Sequence, residues 1–158
     1  KHEQISSIMN KLQELPWDNP RFRNWIAAVR AEKAIVRELS KALAPLDLKI
    51  VQLDVLMNLY RHPGMSQHDL ARRLLVGRSN ITMLLPQLEA QGALRREADP
   101  KDRRVMRIFL TAEGEALLMR ALEVYTALID RVMAQSSAAE CNSMGTVMQR
   151  IVDALKEE

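Results

Sequence analysis

Apolar residues recur along most of this chain at spacings of three and four, the period of one face of an α-helix. Near the start, Ile5, Ile8, Met9 and Leu12 share a face, which predicts a short helix over 1–15 that Pro16 to Pro20 break. A longer stripe follows: Phe22, Trp25, Val29, Val36, Leu39 and Leu43 predict a helix over 21–43, ended by Pro45. Ile50 to Tyr60 reads as another apolar helix, stopped by His62-Pro63-Gly64. Ser66 opens the next, with Asp69 three residues on to complete a reciprocal cap. That short helix turns Leu70, Ala71, Leu74 and Leu75 inward, and Val76-Gly77 is a turn. Arg78 to Gln91 is predicted as a helix with Ile81, Leu84, Leu85 and Leu88 inward and Gly92 as its left-handed cap.

From Ala93 the period changes. Leu94 to Glu97 and Val105 to Leu110 read as two strands around the turn-rich Asp99-Pro100-Lys101-Asp102, a hairpin with a basic tip. Thr111 caps a long helix over 112–134, with Leu118, Leu122, Tyr125, Ile129 and Val132 in phase. Ser136 and Ser137 break it, and a last helix over 139–156 carries Met144, Val147, Met148, Ile151 and Leu155. The fold class expected is mainly α with a small β-hairpin wing: a winged helix-turn-helix (46–111) between N-terminal helices (1–45) and C-terminal helices (112–158), whose apolar surface either folds back onto the winged domain or serves dimerisation with a second chain.

Charge refines this picture. The net charge is only +3, but residues 66 to 111 hold nine Lys/Arg against five Asp/Glu, and residues 112 to 158 hold four against eight. A polyanion would therefore meet the middle of the chain. The single cysteine, Cys141, excludes an internal disulfide framework. No apolar run approaches the roughly 20 residues of a membrane span. The start of the chain lacks the apolar core of a signal peptide, so a cytoplasmic protein with no membrane partner is expected.

The order helix, turn, helix, basic hairpin has a specific physical use. A helix fits the DNA major groove, where base edges display distinguishable donors and acceptors. Its first turn leads, so Arg78, Ser79, Asn80 and Thr82 are the candidate base- and phosphate-contacting residues. Arginine can bond guanine twice and asparagine can bond adenine twice. In the hairpin, Lys101, Arg103 and Arg104 can follow the backbone or enter the minor groove. Asp102 is expected to pair with one of these arginines, fixing the hairpin and leaving the other for DNA.

Five segments carry a family resemblance: Ser66-Gln67-His68-Asp69-Leu70-Ala71, Ser79-Asn80-Ile81-Thr82, Leu88 to Arg96, Asp99-Pro100-Lys101-Asp102-Arg103-Arg104, and Leu110-Thr111-Ala112-Glu113-Gly114. Together they resemble the multiple-antibiotic-resistance regulator (MarR) family over nearly the whole chain. The Asp-x-x-Asp-Arg-Arg wing followed by Leu-Thr-x-x-Gly is the most specific element. The resemblance implies a bacterial transcription regulator: a triangular homodimer that places two winged units on a pseudo-palindromic operator, with repression relieved by a small ligand or by oxidation. Met83 stands where the family is often basic, and Pro86 where an acidic residue is common. Proline inside a helix costs roughly 3 kcal/mol, so a kink or irregular turn is expected at Pro86. Lys49 replaces a usual capping threonine before the helix that starts at Ile50, which leaves Asp47 as the substitute cap.

Other chemistry is thinner. Trp17, Phe22 and Trp25 can line a crevice for a small aromatic or amphipathic effector, although ordinary packing is the simpler use of such residues. His2, His62 and His68 lack metal-ligand spacing, so no metal and no cofactor are expected. An oxidation switch at Cys141 is disfavoured, because the oxidation-sensing branch of the family places its cysteine near the N-terminus. No glycine-rich nucleotide loop follows a strand, and no nucleophile has a base in a recognisable motif, so no enzyme and no catalytic residue are expected. Two rival readings remain: a winged domain used only for protein contacts, and a dimerisation domain related to small-molecule methyltransferases. The basic wing tip argues against the first and the short chain against the second.

Overall fold

The computed structural model describes residues 16–74 and 78–155. The expected helix over 1–15, Leu75 and the Val76-Gly77 turn lie outside the described residues. Those described form six α-helices and three strands: α1 (Pro20–Leu43), α2 (Ile50–Arg61), β1 (Met65–Ser66), α3 (Gln67–Leu74), α4 (Arg78–Ala90), β2 (Leu94–Ala98), β3 (Met106–Leu110), α5 (Ala112–Met133) and α6 (Ala138–Ala154). This is the expected mainly helical winged fold. No helix among the described residues is long and apolar enough to cross a membrane.

Local chemistry accounts for the helix ends. Asn19 Oδ1 accepts from the Arg21 amide at 2.8 Å, and Pro20 stands at the first helical position, where its missing N–H costs nothing. Ser66 Oγ accepts from the Asp69 amide at 3.1 Å and donates to its carboxylate at 2.9 Å. Ser137 and Glu140 cap each other at α6, and the Ser137 amide and hydroxyl hold the Glu140 carboxyl below its usual range. Asp47 is not the cap of α2. It occupies the left-handed region (φ 51°), and the Gln52 side chain accepts from the Lys49 amide instead, at 2.8 Å.

The core gathers one face of each central element. Leu39 and Leu43 from α1, Leu53, Leu56 and Leu59 from α2, and Leu70 from α3 are buried. They meet Ile81, Leu85 and Leu88 of α4, Leu94 and Ile108 of the sheet, and Leu118 of α5. Each such side chain contributes about 1.5–3 kcal/mol relative to exposure, so this cluster dominates the stability of the fold. The outer helices are different. In α1 only Leu39 and Leu43 are buried, while Trp25, Val29 and Val36 of the same predicted stripe are exposed. Helix α6 buries none of its residues.

The sheet is antiparallel in the order β1-β3-β2. Leu94 pairs with Leu110 and Ala98 with Met106, while Met65 pairs with Ile108. The two-residue β1 was not expected, because two residues carry no alternation to read. One junction joins the sheet to both neighbouring helices. Gly92 (φ 76°) closes α4, the Ala93 carbonyl accepts from the Thr111 amide at 3.1 Å, and the Thr111 hydroxyl donates to the Gly92 carbonyl. The same hydroxyl oxygen accepts from the Gly114 amide at 3.0 Å, starting α5. Gly114 lies so close that a Cβ there would stand 1.8 Å from the Ala93 carbonyl oxygen.

Backbone cannot yield as a flexible side chain does, so Gly114→Ala should cost about 3 kcal/mol or more, the upper end of overpacking effects. Urea unfolding measures this, and an unchanged midpoint would sink the close-approach account.

Candidate nucleic-acid interface

The buried stripe of α4 fixes which face it offers outward. Ile81, Leu84, Leu85 and Leu88 are buried, which turns Thr82, Met83, Pro86 and Gln87 to solvent. Arg78, Ser79 and Asn80 form the first turn of α4, and their side chains lie outside the described residues. Pro86 lies inside α4, which is helical from Arg78 to Ala90, so the proline does not end the helix. Pro86 sits on the exposed face, between the buried Leu85 and Leu88. The end of α4 is tied to the sheet by Glu89, whose carboxylate lies 2.9 Å from the Arg96 guanidinium.

The wing is β2, β3 and the turn between them. Its tip is closed by backbone bonds from Asp99 N–H to the Val105 carbonyl (2.8 Å) and from Val105 N–H to the Asp102 carbonyl (2.9 Å). Asp99 organises this turn from within. Its Oδ1 accepts from the amides of Lys101 (2.7 Å) and Asp102 (3.1 Å), and its Oδ2 accepts from Arg107 Nε (2.7 Å). The Arg107 bond, aided by the two amides, holds the Asp99 carboxyl below its usual range. Arg107 also donates to the Gly64 carbonyl at 3.3 Å, joining the wing to the loop before β1. Asp102 makes a separate, exposed pair: its Oδ1 accepts from the Arg104 amide and from Arg104 Nε, both at 3.1 Å.

These pairings sort the wing cations. Arg104 is 91% exposed at its side chain but engaged with Asp102. Lys101 and Arg103 are exposed and have no side-chain partner among the described residues. Strand β2 adds Arg95, which pairs with Glu97 and lies over the Phe109 ring at 4.6 Å. Asp99 entered the sequence reading only as the first residue of the wing motif, and Arg107 was not singled out. Their spacing of eight was the available signal, since a turn linking antiparallel strands returns the second strand beside the first.

The candidate effector aromatics fall in two places among the described residues. Trp17 and Phe22 meet edge to face at 5.5 Å, and Trp17 is 60% exposed. Trp25 lines a separate cleft of about 390 Å³ with Ala28 of α1 and Val147, Met148 and Ile151 of α6. A second apolar cleft, of about 230 Å³, lies between α1 and α5 and is lined by Ile35, Tyr125, Leu128, Ile129 and Val132. Among the described residues, no cluster of His, Cys, Asp or Glu could hold a metal ion. Cys141 is half-buried.

Residues 46–105, which span α2 to the wing tip, match the model of the MarR family. The HTH-type transcriptional repressor Rv2887 of Mycobacterium tuberculosis is 34% identical over 119 residues, which cover 75% of this chain and 86% of that protein. Among solved structures, the chain is similar to the transcriptional repressor CouR bound to a 23-mer DNA duplex. The TM-score is 0.78 at 27% identity, over 88% of this chain and 99% of that one. AbsC, a MarR family transcriptional regulator from Streptomyces coelicolor, shares the fold with a TM-score of 0.79 at 21% identity, over 87% of this chain and 95% of its own. A sequence likeness that runs through the helix-turn-helix and the wing, on the same fold, places this chain in the MarR family of transcription regulators.

Proposed function

We propose that the protein is a sequence-specific repressor that binds a pseudo-palindromic operator as a homodimer and responds to a small ligand. The observation that carries this is the pairing of an outward α4 face with a wing whose Asp99 and Asp102 anchor Arg107 and Arg104 while Arg103 keeps no partner among the described residues. Helix α4 enters the major groove, with Arg78, Ser79, Asn80 and Thr82 nearest the bases and phosphates. The wing lays Lys101 and Arg103 against the backbone or minor groove, and Arg104 adds a cation that Asp102 holds in place. The relatives support this reading: Rv2887 carries the name of a repressor, and CouR is a repressor bound to duplex DNA.

Dimerisation rests on the uncovered helices. Trp25, Val29, Ile35 and Val36 of α1, Ile129 and Val132 of α5, and Val147, Met148 and Val152 of α6 are large apolar side chains left exposed in one chain. Helix α6 buries none of its residues within one chain, and most helical stability in proteins comes from packing an amphipathic face. A second copy supplies that packing, and two-fold symmetry matches a palindromic site. The effector, aromatic or amphipathic, lies against Trp25 where the α1–α6 cleft meets that dimer interface.

Arg103→Ala should weaken binding to the duplex upstream of the chain's own gene and flatten its salt slope by about one counterion. Unchanged affinity and slope would remove Arg103 from the interface. Wild-type failure to bind any duplex at low salt would favour the protein-contact reading. Val147→Arg with Met148→Asp should yield monomers in sedimentation at micromolar concentration, where the wild type sediments as a dimer. A monomeric wild type would overturn the dimer. The Asp99 pairing carries a pH signature. Its carboxyl titrates lower when folded than the ordinary value of about 3.9, so its stabilisation is full above that value and lost as pH falls through the folded one. Asp99→Asn should therefore lower the melting temperature at pH 7, and the gap to the wild type should close only as pH falls below the ordinary carboxylate value and through the lowered folded one. A gap that persists into acid would show that Asp99 acts by shape rather than charge.

A further inference from the structure

A second concave site lies beside the wing and away from the residues assigned to base reading. A cavity of about 610 Å³ opens at the β1 edge of the sheet, and α4 and the 99–104 turn contribute none of its described lining residues. Its walls bring together His62 from the loop after α2, Arg72 and Arg73 from α3, and Arg107 from β3, with Asp69 as the single carboxylate. Arg72 has no partner among the described residues. Arg73 Nη1 lies 3.1 Å from His62 Nε2, and since arginine only donates, that ring nitrogen accepts. Arg107 uses Nε on Asp99 and Nη1 on the Gly64 carbonyl, which leaves its Nη2 unused among the described groups. Asp69 is already engaged, accepting from the Ser66 hydroxyl.

Three guanidiniums around one cavity repel each other, and Asp69 in its wall with Asp99 behind Arg107 offsets only part of that charge. Their planar forks match carboxylate and phosphate oxygens, which accept two parallel bonds from each. We propose that this cavity binds a small oxyanion, a metabolite bearing carboxylate or phosphate groups, and that the bound anion competes with Asp99 for Arg107 and loosens the wing turn. The site is distinct from the apolar clefts between the long helices, and its effect on binding rests on the DNA-binding reading above. A ligand shifts such an equilibrium only by its different affinity for the two wing states, and Arg107 is the group that supplies the difference.

The test titrates inorganic phosphate and citrate into wild type and Arg72→Ala/Arg73→Ala, with ionic strength matched by sodium chloride and folding of the variant checked by circular dichroism. Citrate or phosphate should bind the wild type and bind the double variant at least about tenfold more weakly, because two charged donors are removed. Citrate should also weaken duplex binding by the wild type several-fold and leave that of the variant unchanged. Equal binding to both proteins, or none to the wild type, overturns the site. Bound citrate with unchanged duplex affinity overturns the coupling through Arg107. A variant whose duplex binding has a salt slope flattened by about two counterions, with no anion binding by the wild type, assigns the arginines to DNA phosphates and overturns the proposal. A wild type that binds citrate through these arginines but no duplex keeps the site and overturns the DNA-binding reading instead.

Discussion

The geometry of the whole interface depends on one close approach, that of Gly114 to the Ala93 carbonyl. Three backbone segments meet there: the end of α4 at Gly92, the start of β2 at Ala93, and the turn from β3 into α5 at Thr111. Thr111 takes part with its amide, its hydroxyl proton and its hydroxyl oxygen, so several otherwise unpaired backbone groups find partners in one place. Only a residue without Cβ lets α5 begin this near to Ala93. Helix α4, the wing and the long helix α5 thus share one origin.

From that origin the wing projects as a pre-shaped turn. The acidic residues in it are at first sight misplaced beside a polyanion. They are explained by what they hold: Asp99 ties two tip amides to Arg107, and Arg107 ties the tip to Gly64. The turn is thereby ordered before any partner arrives, which lowers the entropy that binding must otherwise overcome. Arg107 is the shared element, since it also faces the cationic cavity at the β1 edge. One guanidinium therefore belongs to the wing and to the proposed anion site at once.

The outer helices follow a different logic. Central positions such as Leu53, Leu85 and Leu118 are buried within the chain, while the exposed apolar residues of α1, α5 and α6 have no intrachain cover. The periodicity of α6 is that of a packed helix, yet it buries nothing here. A stripe of that kind marks an intended contact without saying whether the contact lies in the same molecule.

Much of this was legible in the residues. Helix positions, the inward stripe of α4, the Gly92 cap and the Thr111 cap follow from local patterns, because periodicity and capping depend on neighbours a few residues apart. The basic hairpin followed from its turn residues, and the family from motifs that run through it. That α4 continues beyond Pro86 to Ala90 follows from its inward stripe, against a propensity penalty of roughly 3 kcal/mol. Strand β1 was not legible, since its two residues become a strand only because Ile108 and Arg107 lie beside them. The roles of Asp99 and Arg107, and the meeting of Arg72, Arg73 and His62 with Arg107, are likewise products of the fold. The sequence by itself determined the class of element at each position and the chemistry available there. The tertiary structure alone decided which charges are satisfied and which are left exposed, because ion pairing depends on distance in space, and that distance is set by packing between segments far apart in the chain.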